Sequence, residues 1–214
     1  MSRDWKRHIG YMLFAVVLMT CSYYYLDRKI ALVVSTVVST NNQLTVFSAA
    51  IPDLLYLIVC VITGIAWIAC STYANNGNTG TNSRFFLLIA YTVPFSFLLK
   101  SILQFVIGRN STRHWLLSPN SGQFHWFHEG GFPSGHMAVF SVVVFALSNY
   151  FPRYRLASWV FLLVLAIALI ATDYHFLSDV IAGFCLGWAV HYLTLRGLTS
   201  IPKYAEGERI ILNE

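Results

Sequence analysis

Long apolar runs separated by short polar stretches dominate the chain, and their lengths set the first expectation. A helix of about 20 apolar residues crosses a bilayer. Six runs approach that length, at roughly 9–26, 51–73, 85–107, 134–151, 156–173 and 178–195. Residues 30–38 are apolar and β-branched, but Ser39-Thr40-Asn41-Asn42-Gln43 interrupts them too soon for a span, so a short interfacial helix is expected there, with a re-entrant segment as the alternative. The linker 74–83 is polar and rich in Gly and Asn, with no site-like residues. The connection 108–132 is instead rich in Arg, His, Trp and Gly, and Phe151-Pro152-Arg153-Tyr154-Arg155 reads as a short basic turn. The pattern predicts an all-α, six-span transmembrane bundle, one membrane-embedded domain over 1–214, with Pro94 kinking the third span.

Composition strengthens this reading. Hydrophobic residues make up 57% of the chain and charged residues 11%, with a mean hydropathy of +0.60. A soluble domain is about one-quarter charged. The net charge of +5 comes from basic residues scattered near span ends, which argues against nucleic acid as a partner. Cys21, Cys60, Cys70 and Cys185 all fall inside apolar runs without metal-type spacing and read as small buried hydrophobes. A basic start followed by an apolar run resembles a signal peptide. However, Cys21-Ser22-Tyr23-Tyr24-Tyr25-Leu26 ends in bulky aromatics rather than a small-residue cleavage site, so a retained first span is expected.

Lys and Arg near span ends give the orientation. With six spans, one side collects Arg3, Lys6, Arg7, Arg84, Arg153, Arg155, Arg196, Lys203 and Arg209; the other has Arg28, Lys29, Arg109 and Arg113. This imbalance puts both termini in the cytoplasm. The 108–132 loop and the 173–178 turn then share the outer face.

Two motifs at that face carry candidate chemistry. In Phe132-Pro133-Ser134-Gly135-His136, a small turn opens a helix whose first N–H groups lack helical partners and suit an anion. In Tyr174-His175-Phe176-Leu177-Ser178-Asp179, a His and an Asp four apart share a helical face, so the carboxylate can orient the imidazole. Taken singly, each has a bland reading: a capped helix with an interfacial His, or a snorkelling His beside an incidental Asp. Their convergence favours function, because ionisable groups at membrane spans are costly.

Pro133-Ser134-Gly135-His136 followed by His175-x-x-x-Asp179 resembles the signature of the type-2 phosphatidic acid phosphatase superfamily, over roughly 100–187. Gly108-Arg109, Phe124-His125-Trp126-Phe127-His128 and Phe132 resemble its bacterial members. The resemblance implies a lipid phosphatase of a bacterial inner membrane, its site facing the periplasmic side. It further implies that His175 attacks phosphorus to form a phosphohistidine, that Asp179 fixes its tautomer, and that His136 protonates the leaving oxygen. Lys100, Arg109, Arg113 and the amides of Ser134 and Gly135 are the expected phosphate-binding donors, with no metal or other cofactor. The expected partner is a phosphorylated membrane lipid. A lipid phosphotransferase using the same intermediate, or an idle lipid-binding or transport member, are the alternatives.

The chain departs from that family pattern in two places. The first motif of the family sets a Lys seven residues before Arg-Pro; here Lys100 precedes Arg109 by nine, no Pro follows, and Gln104 occupies an alternative Lys position. The third motif normally begins Ser-Arg, where this chain has Ala168-Leu169. Arg113 or Arg109 is expected to cover the deficit.

Other polar residues are given lesser roles. His125, His128 and Glu129 read as an entrance-shaping loop rather than a metal site. Asp173 is a candidate to tune His175 or to serve a helix-end or interfacial role, and His191 reads as a packed or interfacial His. Asn110-Ser111-Thr112 matches a glycosylation acceptor but abuts the site. Trp5, Trp115, Trp126 and Tyr23-Tyr24-Tyr25 suit an aromatic belt.

Overall fold

The computed structural model describes residues 3–38, 42–77, 80–118, 124–127 and 130–198, with side chains over 10–37 and, from residue 54, throughout those segments. Among the described residues the fold is all-helical, with turns and a single isolated antiparallel bridge between Arg109 and Trp126. The helices are α1 (Arg3–Cys21), α2 (Asp27–Val38), α3 (Asn42–Asn75), α4 (Thr81–Ile107), α5 (Thr112–Leu117), α6 (Gly135–Tyr150), α7 (Arg155–Ala171) and α8 (Leu177–Leu198).

The first two join without a break. A π-helical turn, Ser22–Leu26, links them, and Cys21 and Asp27 on either side keep right-handed helical backbone. The run expected to end at 26 therefore continues to Val38, because no Gly or Pro stops it. Residues 30–38, expected as a separate interfacial helix, extend the first one instead, and 42–50 belong to the 34-residue α3. Helix α4 runs on through Pro94.

Among the described residues, four helical segments are long and apolar enough to cross a membrane: Leu54–Asn75, Thr81–Ile107, Pro152–Ala171 and Leu177–Leu198. Helix α6 is apolar but only 16 residues long, or about 24 Å at 1.5 Å per residue. Large apolar side chains such as Ile68 and Leu156 stand outward, as an integral membrane protein requires. Cys21 and Cys60 are also on this outer surface, which corrects the expectation of four buried cysteines; Cys70 is buried and Cys185 half-buried.

The core joins α3, α4, α6 and α8 through Ala66, Leu88, Val93, Val139, Val142 and Val190, all nearly inaccessible. A second cluster joins α6, α7 and α8 through Met137, Val144, Leu162, Leu169 and Val180. Helix α8 comes unusually close to α6, and two glycines allow it. A Cβ at Gly183 would sit 2.4 Å from the Ser134 carbonyl oxygen, and one at Gly187 would sit 2.6 Å from that of Ala138. Gly183-x-x-x-Gly187 is thus a small-residue stripe of the kind that lets membrane helices touch backbone to backbone. It also brings the starts of the two helices together.

Candidate active site

Helix α6 begins at Ser134, whose hydroxyl caps it by accepting from the Met137 N–H at 3.4 Å. The Ser134 N–H donates to the Asp179 carbonyl at 3.0 Å, tying this start to that of α8. At the other start, Asp179 Oδ2 accepts from the Phe176 N–H three residues back, at 2.9 Å, as in a capping box. Two positive helix ends therefore meet at one place, which favours an anion there.

His136 and His175 converge on that place. Both are buried, at 6% and 3% exposure, and the Tyr174 ring touches each: its centroid is 5.7 Å from the His136 ring and 4.7 Å from that of His175. Nδ1 of His175 faces Asp179 Oδ2 at 3.7 Å, within ion-pair range but longer than a hydrogen bond. The nitrogen left for chemistry is Nε2.

Lys100, on α4, runs its stem past the motif glycine: its Cε lies 2.6 Å from where a Gly135 Cβ would be. A side chain at position 135 would have to displace the end of the Lys100 side chain. The Lys100 ammonium lies 4.7 Å from the centre of the Phe97 ring. Arg113, half-buried on α5, lowers the Asp173 pKa by its charge, while the larger effect, burial, raises it. Asp173 itself adopts left-handed backbone (φ 53°), and its Oδ1 is buried without a hydrogen-bond partner.

Arg109 is arranged differently from the expected phosphate ligand. It is fully buried, with Nη1 donating to Asp27 Oδ2 at 3.0 Å and Nη2 donating to Asp179 Oδ1 at 2.7 Å and Ser178 Oγ at 2.8 Å. The guanidinium carbon lies 4.4 Å from the Phe176 ring centre and 4.6 Å from that of Phe124, with Tyr23 and Trp126 each at 5.4 Å. These contacts make Arg109 a protein-bound cation. Its carbonyl accepts from Gly131 N at 2.7 Å, and Gln104 Nε2 donates to the Gly130 and Pro133 carbonyls at 2.7 and 3.0 Å. Gln104 therefore fixes the loop before the motif rather than standing in for a lysine.

The remaining expectations divide. Trp115 is buried against Phe124 and Phe176 instead of joining an aromatic belt. Trp126 packs beside Tyr23 and Phe132. His191 is packed, with Nε2 at 3.0 Å from Asn149 Nδ2. Asn110 is fully buried and pairs with the His125 backbone, which leaves no room for a glycan. Trp5, His128 and Glu129 lie outside the described side chains. Sequence reasoning passed over Asp27, Ser178 and Tyr174 as participants. The available signal for Asp27 was a carboxylate between two apolar runs, but it stood beside Arg28 and Lys29, where a span was expected to end and charge is unremarkable.

The family model of the PAP2 superfamily matches residues 84–201. The chain belongs to the PAP2 superfamily. This PAP2 protein is 36% identical over 103 residues to a lipid A 1-phosphatase of Rhizobium johnstonii, covering 45% of this chain and 41% of the relative. It is also 36% identical over 109 residues to a lipid A 1-phosphatase of Rhizobium etli, covering 48% and 46%. The matched stretch is thus less than half the length of either relative. Among solved structures it is similar to a transmembrane PAP2-type phosphatidylglycerolphosphate phosphatase of Bacillus subtilis, at 17% identity and a TM-score of 0.49, over 92% of this chain and 98% of that one.

Proposed function

We propose that this PAP2 protein is a membrane lipid phosphatase working through a phosphohistidine. The observation that supports it most is the meeting of His136, His175 and Asp179 at two adjoining helix N-termini. His175 Nε2 attacks phosphorus, and the bond from phosphorus to the lipid oxygen breaks as His136 protonates that oxygen. The Nδ1 proton stays directed at Asp179. Water then attacks the phosphohistidine, the P–N bond breaks, and inorganic phosphate leaves. No metal takes part. Charge on the phosphoryl group in flight needs fixed donors. Lys100, Arg113 and the Ser134 and Gly135 amides fill that role, while Arg109 holds Asp179.

The bundle has six spans, both termini are cytoplasmic, and the site opens at the periplasmic face of a bacterial inner membrane. The lipid A 1-phosphatases among the relatives make lipid A 1-phosphate the first substrate to try, beside phosphatidic acid, phosphatidylglycerol phosphate and undecaprenyl pyrophosphate. The test is inorganic phosphate release from this panel in detergent with EDTA present, comparing wild type with His175→Ala. Wild type releases phosphate from at least one lipid and His175→Ala from none. A newly phosphorylated lipid without free phosphate would make the protein a phosphotransferase. Activity in neither protein would make it an idle member, and a strict metal requirement would contradict the mechanism.

A further inference from the structure

Asp27 is the first residue of α2, far in sequence from both histidine motifs, yet it is 1% exposed and lies at the heart of the site. Its carboxylate accepts four hydrogen bonds. Oδ1 takes the Ser22 hydroxyl and the Ser178 N–H, each at 3.0 Å; Oδ2 takes Arg109 Nη1 at 3.0 Å and the Ser178 hydroxyl. One of these donors, Arg109, reaches Asp179 from the other side: its Nη2 donates to Asp179 Oδ1 at 2.7 Å and to Ser178 Oγ at 2.8 Å. The π-helical turn at 22–26 supplies Ser22, and such turns are frequent at functional sites.

We infer that Asp27 is a positioning residue for phosphoryl transfer, holding Arg109 and Ser178 so that Asp179 stays aimed at His175 and keeps its negative charge available to it. The inference rests on the phosphohistidine reading above. The physical argument is a charge count. Arg109 between Asp27 and Asp179 leaves one net negative charge, which matches the imidazolium character His175 gains as it bonds to phosphorus. Without Asp27, Arg109 would neutralise Asp179 alone and the imidazole would lose that support. A buried carboxylate is costly in itself, and four donors and a guanidinium offset that cost here.

The test is steady-state phosphate release from the lipid phosphate that wild type hydrolyses in the panel, using full-length protein in detergent. Asp27→Asn keeps the size and shape, removes the charge and turns one of the two acceptor oxygens into an N–H donor. Orienting partners of this kind typically change activity by about 10- to 100-fold, and kcat should fall by about that factor. The KM should stay within about twofold, because Asp27 does not touch substrate. Unchanged kcat in folded Asp27→Asn would overturn the inference, as would a raised KM with kcat intact. If Asp27→Asn does not purify as folded protein, Ser22→Ala replaces it, removing one Asp27 contact while keeping every charge. One hydrogen bond is worth about 1 kcal/mol, so a fall in kcat of up to about fivefold is expected, and wild-type kcat in folded Ser22→Ala would overturn the inference. A wild type inactive on the whole panel would reject the phosphatase reading itself. An active wild type matched by Asp27→Asn would reject only the role of Asp27.

Discussion

Among single residues, Asp173 offers a clean electrostatic test. Burial raises its carboxyl pKa, and the Arg113 charge only partly offsets this. A carboxyl whose folded pKa is raised binds protons more readily in the folded state. Its stability contribution is therefore full below the ordinary carboxylate range, about pH 4, and is lost as pH rises through the folded value. Asp173→Asn removes that loss, and Asn tolerates the left-handed backbone at this position (φ 53°). Thermal melting in detergent should show Asp173→Asn more stable than wild type at pH 7.5, with the difference shrinking towards pH 4. A less stable variant at pH 7.5 would mean that pairing with Arg113 outweighs burial. The sequence was legible at this scale for the Ser134 cap; His175 does face Asp179, but from the turn two residues before α8 rather than from the shared helical face that the spacing predicted. It was not legible where distant residues meet. Nothing near Arg109 in sequence announces that it pairs with Asp27, 82 positions away.

At the scale of elements, the close contact of α6 and α8 is the feature on which the site depends. Gly183 backs onto the Ser134 carbonyl, so any side chain there pushes the turn at Ser134 away from Asp179. Gly183→Ala should cost about 1–3 kcal/mol by overpacking, and phosphate release should fall further than that loss of stability alone implies. Gly64→Ala on α3 is the control, since a Cβ there meets nothing within 4 Å. It should be neutral or stabilise by up to about 1 kcal/mol through helix propensity. Equal behaviour of the two variants in melting and activity would refute the close-packing account. The later helices were legible in the sequence because uninterrupted apolar runs bounded by Pro, Gly or polar loops leave few choices, and α7 and α8 begin and end within a few residues of expectation. The early helices were less so. The polar group after residue 38 read as the end of one element, yet Asn42 already opens the long α3. The small-residue stripe at Gly183 and Gly187 was visible in the sequence, but only the packing partner gives it meaning.

At the scale of the whole molecule, helices from both halves of the chain build one site. The α1–α2 segment supplies Asp27, α4 supplies Lys100 and the loop after it Arg109, and the last three long helices supply or frame the histidines. The apolar exterior keeps this arrangement in a lipid environment. Composition made the membrane setting legible, whereas the clustering of charges from four separate segments depends on tertiary packing that no local pattern encodes. The most direct test of the account is rapid quenching of full-length protein with a lipid carrying radiolabelled phosphate, followed by peptide mapping. The account predicts a protein-bound phosphoryl group that is labile in acid, stable in alkali and located on His175, absent from His175→Ala. Turnover by wild type without any such label, or label retained in His175→Ala, would contradict it.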